Sequence, residues 1–208
     1  MARHSQKILR TYVGERIMAL DFAKGITEFR WHGRGGQGVV TSNQMLGKAA
    51  LAEGNYIQAF PEFGPERTGA PVRAFLRISK EPIQVYAQVY NPDVVVCIDP
   101  TLLDVVNPVE GLKEDGTLVV NSSMKPSEIR DKFDFRTGKV VTVDATTIAL
   151  EVMGRAFYNM PTMAAAVKAT GVVNVDTVIK EVQNRYPGKV GDLNKVAIER
   201  AVKEAEIG

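Results

Sequence analysis

Residues 27–60 read TEFRWHGRGGQGVVTSNQMLGKAALAEGNYIQAF, and the fold class is decided within them. Thr27 to His32 is a short β-prone run that stops at a glycine cluster, Gly33-Arg34-Gly35-Gly36-Gln37-Gly38. From Val39 to Glu53 the pattern turns helical, with Val40, Leu46, Ala50 and Leu51 near one face and Gly54-Asn55 supplying a stop. Asn55 to Phe60 reads as a second strand, broken by Pro61. Strand, glycine turn, helix and strand within about 35 residues make the βαβ unit of an α/β fold.

Working outward toward the C-terminus, a loop from Pro61 to Ala70 precedes Pro71 to Ile78, where apolar and polar residues alternate. Ser79-Lys80-Glu81-Pro82 links that run to Ile83-Gln84-Val85-Tyr86, which predicts one antiparallel hairpin. Asp93 to Asp99 is a continuous apolar run bounded by acids, as a central parallel strand covered on both faces requires. Gly116–Asn121 and Lys139–Val143 repeat that form, each followed by a helical stretch, Lys125–Phe133 and Thr146–Gly154. Strands alternating with helices predict a largely parallel, Rossmann-like sheet. Met160–Thr170, Asp176–Arg185 and Leu193–Glu206 then read as helices without intervening strands, a helical C-terminal segment packed on the sheet. Toward the N-terminus, residues 1–25 read as an extension, helical around Arg16 to Ala23, and as an interface arm. Residues 26–208 read as one domain.

The 208 residues are 45% hydrophobic and 24% charged, a globular composition with room for one good core. Lys and Arg number 26 against 24 Asp and Glu, a net charge of +2 with no long run of like charges, which argues against nucleic acid as a partner. The longest apolar run, Val94 to Ile98, is far below the roughly 18 residues of a membrane helix. No apolar stretch with a cleavage site marks the N-terminus, so the chain reads as cytoplasmic. The single cysteine, Cys97, excludes an internal disulfide, and an iron–sulfur cluster is usually held by about four thiolates. His4 and His32 are too few and too far apart for a histidine metal site. No metal ligand set and no catalytic acid or base is assigned.

Gly33, Gly35 and Gly38 fit G-x-G-x-x-G between a strand and a helix, the context in which a backbone can approach a phosphate at a helix N-terminus. Arg34 could add a charge-assisted bond to a phosphate or carboxylate. The same turn could equally serve tight strand-to-helix packing alone. A dinucleotide site also wants an acid at the end of the second strand, where Glu62 arrives slightly late. A stand-alone NAD- or flavin-binding dehydrogenase is therefore one alternative, and a purely structural scaffold is another. Residues 59–73, AFPEFGPERTGAPVR, form a loop crowded with chemistry, whose Glu62, Glu66, Arg67 and Arg73 could converge with Arg34 or remain solvated ion pairs. Cys97 reads as a buried hydrophobe, His32 as a packed residue or a site residue, and Asp99 and Asp144 as helix caps or ligand contacts.

Three blocks, RWHGRGGQGVVTSNQMLGKAA (30–50), YIQAFPEFGPERTGAPVRAFLRI (56–78) and NPDVVVCIDPTLL (91–103), closely resemble the gamma subunit of 2-oxoacid:ferredoxin oxidoreductases, the pyruvate enzyme (pyruvate synthase) most of all. The likeness runs from about Phe29 to Lys203 and leaves out the N-terminal extension. It implies a three-layer αβα domain and one subunit of an enzyme of anaerobic metabolism, not a whole enzyme. That enzyme oxidatively decarboxylates a 2-oxoacid, pyruvate first, to acyl-coenzyme A and CO2 with ferredoxin as electron acceptor, or runs the reverse. Alpha, beta and delta-type partner subunits would hold the thiamine diphosphate, Mg and 4Fe–4S clusters, with coenzyme A as co-substrate and no such cofactor held by this chain alone. In that family the domain packs beside the thiamine site and helps dock coenzyme A; by that likeness Gly33, Arg34, Gly35, Gly36, Gln37 and Gly38 form the loop facing the catalytic subunits, which could bind phosphate or carboxylate, and Glu62, Arg67, Thr68 and Arg73 form the adjoining rim.

Overall fold

The computed structural model describes residues 25–62 and 69–208. The expected interface arm at 1–25, but for Gly25, and the rim residues Arg67 and Thr68 lie outside them.

Strand β1 (Thr27–Arg34) leads through the glycine turn into helix α1 (Val39–Ala52), then strands β2 (Tyr56–Glu62), β3 (Pro71–Ser79) and β4 (Val94–Cys97). A one-turn helix α2 (Leu102–Val105), β5 (Thr117–Asn121), α3 (Pro126–Phe133), β6 (Lys139–Val143) and α4 (Ala145–Met153) follow. The chain then runs through α5 (Asn159–Thr170), α6 (Val175–Arg185) and α7 (Lys189–Glu204) to a short β7 (Glu206–Ile207). The seven strands form one sheet in the order β2-β3-β1-β4-β5-β6-β7. Strands β1, β4, β5 and β6 are mutually parallel, while β3 and β7 run against their neighbours. The sheet is thus mixed, with the mostly parallel core expected of the α/β class.

Alternation along the central strands feeds two cores. Val94, Val96 and Ile98 enter the larger one, beneath α1, α4, α5, α6 and α7. Val95 and Cys97 point the other way, against Leu102 of α2 and Ile129 of α3. Each residue step reverses the side chain's face, so a continuous apolar run is what a strand buried on both sides needs. Helix α5 lies at the centre of the larger layer, and Ala164, Ala165 and Ala166 within it are fully buried, small enough for close packing against the sheet and α7.

Three expectations are corrected. First, β2 is not the immediate neighbour of β1: β3 is inserted between them, antiparallel to both, so β1-α1-β2 is a split βαβ unit. Second, the antiparallel partners of β3 are β1 and β2, and residues 83–86 form no strand. With both edges of β3 occupied, that segment lies across the sheet instead: Arg77 Nη2 donates to the Gln88 carbonyl at 3.2 Å, and Gln58 Nε2 to that of Val85 at 2.8 Å. Arg30 reaches from β1 to the carbonyls of Tyr90, Pro108 and Glu110. These pins, with α2 and α3, make up the third layer. Third, the C-terminal helices do not end the chain, because Ala205 adopts extended backbone and residues 206–207 pair with β6. On α1, Leu46 and Ala50 are buried as expected, but Leu51 is 57% exposed; Met45 and Ala49 complete the inward face.

Candidate functional site

The sheet order reverses direction at β1, because the chain leaves β1 toward β3 and β2 on one side and later continues through β4, β5 and β6 on the other. Connections that depart in opposite directions open a crevice at the carboxyl ends of the strands there. Arg34 ends β1 at this crevice, and Asp99 stands two residues beyond β4.

A hydrogen-bonded ring closes between them. Asp99 Oδ2 accepts from Arg34 Nε at 3.1 Å and Gln37 Nε2 at 2.7 Å, while Gln37 Oε1 accepts from the backbone N–H of Arg34 at 2.7 Å. Asp99 Oδ1 accepts from the backbone N–H of Thr101 at 3.0 Å and from its hydroxyl at 2.6 Å. The remaining Arg34 nitrogens donate to the Gly69 carbonyl at 3.2 Å and the Thr101 hydroxyl at 2.9 Å. Burial works to raise the Asp99 carboxyl, but hydrogen bonds from Thr101 and Gln37 and the Arg34 charge outweigh it and hold the group below its ordinary range. The Tyr158 phenol nearby is raised, by burial first and then by the Asp99 charge.

The glycines divide their labour. A Cβ on Gly33 would collide with Val39 Cγ2, and one on Gly38 would stand 2.6 Å from Asn159 Nδ2, so these two serve close packing. Gly35 is tied by its backbone N–H to the Ala70 carbonyl at 2.9 Å. Gly36 differs: it is exposed, its φ is +93°, and an added Cβ would meet nothing within 4 Å. It is the open tip of the loop. Beside it lies a cleft of about 330 Å³ lined by Gly36, Gln37, Thr41, Phe157, Asn159 and Tyr186 among others. The N-terminal turns of α1, α5 and α7 contribute to its wall, and none of the three carries a side-chain cap. Helix starts without a side-chain cap leave first-turn N–H groups for other partners and carry partial positive charge, although in α5 the first turn includes Pro161, which has no N–H.

Glu62 and Arg73 face each other across β2 and β3 and form an ion pair, Nε to Oε2 at 2.5 Å. Glu62 is therefore two strands from β1, about 10 Å by sheet spacing, and occupied by arginine. That is not where a ribose-binding acid would stand. His32 is buried and accepts from Arg30 Nε at 3.2 Å; burial first, then the Arg30 and Arg73 charges, lower its pKa to about 3. It is a neutral structural residue. Cys97 is buried, and burial first, then the Asp99 charge, pushes its thiol up to about 12. Asp144 caps α4 by accepting from the Thr147 N–H at 2.9 Å. Among the described residues no group of three or more His, Cys, Asp or Glu could hold a metal ion, and no helix is long and apolar enough to cross a membrane. Sequence reasoning left Asp99 open and did not name Asn159 or Tyr158. An acid just past a buried parallel strand was the available signal for the first; the other two come from more than 100 residues away and gave none.

Comparison with known proteins bears on the whole domain. The family model for pyruvate ferredoxin/flavodoxin oxidoreductase matches residues 28–204. The pyruvate/ketoisovalerate oxidoreductases common subunit gamma of Pyrococcus furiosus is 44% identical over 180 residues, 86% of this chain and 97% of that protein. The crystal structure of pyruvate oxidoreductase subunit PORC from Thermotoga maritima superposes with a TM-score of 0.80 at 46% identity, covering 89% of this chain and 99% of that one. A 2-oxoglutarate:ferredoxin oxidoreductase from Magnetococcus marinus, solved with 2-oxoglutarate, coenzyme A and succinyl-CoA bound, shares the fold at 19% identity and a TM-score of 0.64, over 86% of this chain and 30% of that one.

Proposed function

Since the chain belongs to the pyruvate ferredoxin/flavodoxin oxidoreductase family and is a gamma-type subunit of such an oxidoreductase, we propose that its glycine loop and the adjoining cleft dock coenzyme A against the catalytic subunits. The overall reaction is oxidative decarboxylation of a 2-oxoacid to acyl-coenzyme A and CO2 with electrons passed to ferredoxin, or its reverse. Pyruvate is the first candidate acid. The Pyrococcus relative is named as common to a pyruvate and a ketoisovalerate enzyme, which supports an acid pocket built by the other subunits.

The described residues offer no group of three His, Cys, Asp or Glu that could hold a metal ion, and their one thiol is buried and held protonated. On this reading thiamine diphosphate, Mg and the 4Fe–4S clusters sit on alpha, beta and delta-type companions, and the assembled enzyme works in the cytoplasm. This chain contributes position and exclusion of water. The observation that carries the docking assignment is the open tip at Gly36 beside the cleft walled by uncapped α1, α5 and α7. Phosphate oxygens of coenzyme A suit free N–H groups and partial positive charge. The Arg34 guanidinium donates to Asp99, Gly69 and Thr101 and keeps two of its five N–H groups, so on this reading backbone N–H groups and the remaining Arg34 donors meet the phosphate.

Gly36→Asp tests it in the intact complex. Aspartate tolerates positive φ, and its carboxylate would repel an anion at the tip. The apparent KM for coenzyme A should rise about tenfold, on the order of 1.4 kcal/mol, and Gly36→Asn should change it far less. An unchanged KM in Gly36→Asp removes the docking assignment.

A further inference from the structure

A carboxylate offers about four lone-pair directions, and at Asp99 all four are taken, by Arg34 Nε, Gln37 Nε2, Thr101 N and Thr101 Oγ1. None is left for a ligand or a proton in transit. The donors come from the loops after β1 and β4, and Arg34 extends the link to Gly69 beyond them. Asp99 thus ties the loops after β1 and β4 together at the crevice, and Arg34 joins both to Gly69.

The span it controls is short and contains the open tip. Arg34 and Gln37 are bonded to Asp99 and to each other, and the residues between them are Gly35 and Gly36. Backbone bonds from Gly35 N–H to Ala70, Gly69 N–H to Gly35 and Gln37 N–H to Arg34 shape the turn, but two adjacent glycines have the greatest backbone freedom of any pair, so a 34–37 turn without its side-chain ties to Asp99 would have more left to order when its ligand arrives, weakening binding. We propose that Asp99 is the positioning residue of this loop: it acts on coenzyme A only through Arg34 and Gln37, by holding Gly36 and the start of α1 in their binding arrangement. The inference deepens the docking reading and rests on it.

The chemistry of the ring supplies a discriminating test. Asp99→Asn puts an amide N–H₂ where one carboxylate oxygen accepted, so donor faces donor and the Arg34 charge loses its partner. Adding Gln37→Glu to that variant returns an acceptor and a negative charge to the ring, with the amide at position 99 now donating to the carboxylate at position 37 and the Arg34 guanidinium, which cannot donate to that amide nitrogen, turning onto the same carboxylate. Loss of one charge-assisted tether should raise the KM for coenzyme A about tenfold in Asp99→Asn while the KM for the 2-oxoacid moves much less. The double variant should recover to within about threefold of the parent.

Gly36→Asp, which leaves the ring intact, runs beside them in the same purified complex. If Gly36→Asp raises the coenzyme A KM and Asp99→Asn does not, positioning by Asp99 is overturned and docking stands. A double variant no better than Asp99→Asn alone also overturns it. If neither Gly36→Asp nor Asp99→Asn moves that KM, the docking reading fails, and this inference fails with it. Should Asp99→Asn not assemble, the double variant decides: assembly with a near-parental KM supports the proposal, and failure to recover overturns it.

Discussion

His32 ends its run on β1 beside Cys97 of β4, and Asp99 follows two residues later, yet burial treats the three groups differently. His32 is kept neutral and Cys97 protonated, while Asp99 stays charged because Thr101, Gln37 and Arg34 satisfy it. The consequence for stability has a definite sign. An unfolded imidazole gains its proton near pH 6.5, whereas folded His32 resists until about pH 3. Between those values the unfolded state binds more protons, so stability present above 6.5 drains away as the pH falls toward 3. In His32→Gln, whose amide oxygen can still accept from Arg30, urea midpoints measured from about pH 7 to about pH 4 should fall less steeply than in the parent; equal slopes would contradict the account. At this scale the sequence was legible where residue type limits chemistry, as for Cys97 within an apolar run. It was not legible at Asp99, because an acid after a strand can cap a helix, as Asp144 does, or organise a site.

Gly38 shows what one element asks of another. Its φ is +80°, it precedes α1 without a capping side chain, and Asn159 at the start of α5 fills the space a Cβ would need. Gly38→Ala should therefore cost about 1–3 kcal/mol, part backbone strain and part displacement of Asn159. Thermal unfolding reads it, and a variant within a few tenths of a kcal/mol of the parent would contradict the packing role. Strand and helix existence followed from local pattern for β1, α1, β4, β5, β6 and α5. Pairing did not: alternation in Pro71–Ile78 calls for antiparallel neighbours, and the nearest apolar run, Ile83–Tyr86, is the wrong one. What decides is the free edge of β1 and the length of β2, which pairs with β3 along seven residues, and those are tertiary facts. The pair Glu206–Ile207 is too short to carry a pattern at all.

At the scale of the whole molecule, the larger core gathers Phe29, Trp31, Leu46, Leu76, Val96 and Met163 from strands β1, β3 and β4 and helices α1 and α5 into one body. Leu46→Ala, in its middle and fully buried, should lose about 2–5 kcal/mol and lower the midpoint of a single unfolding transition; separate transitions would deny a common core. The Asp99 ring and the cleft lie together at one end of that body, at the carboxyl ends of β1 and β4. The central claim is that the chain works as one subunit among others. Native mass spectrometry of what co-purifies anaerobically with it, combined with iron and thiamine analysis, tests this most directly. The account predicts a complex in which the chain travels with companions carrying thiamine diphosphate and iron; a chain that runs alone, free of both and carrying bound nucleotide, would contradict it.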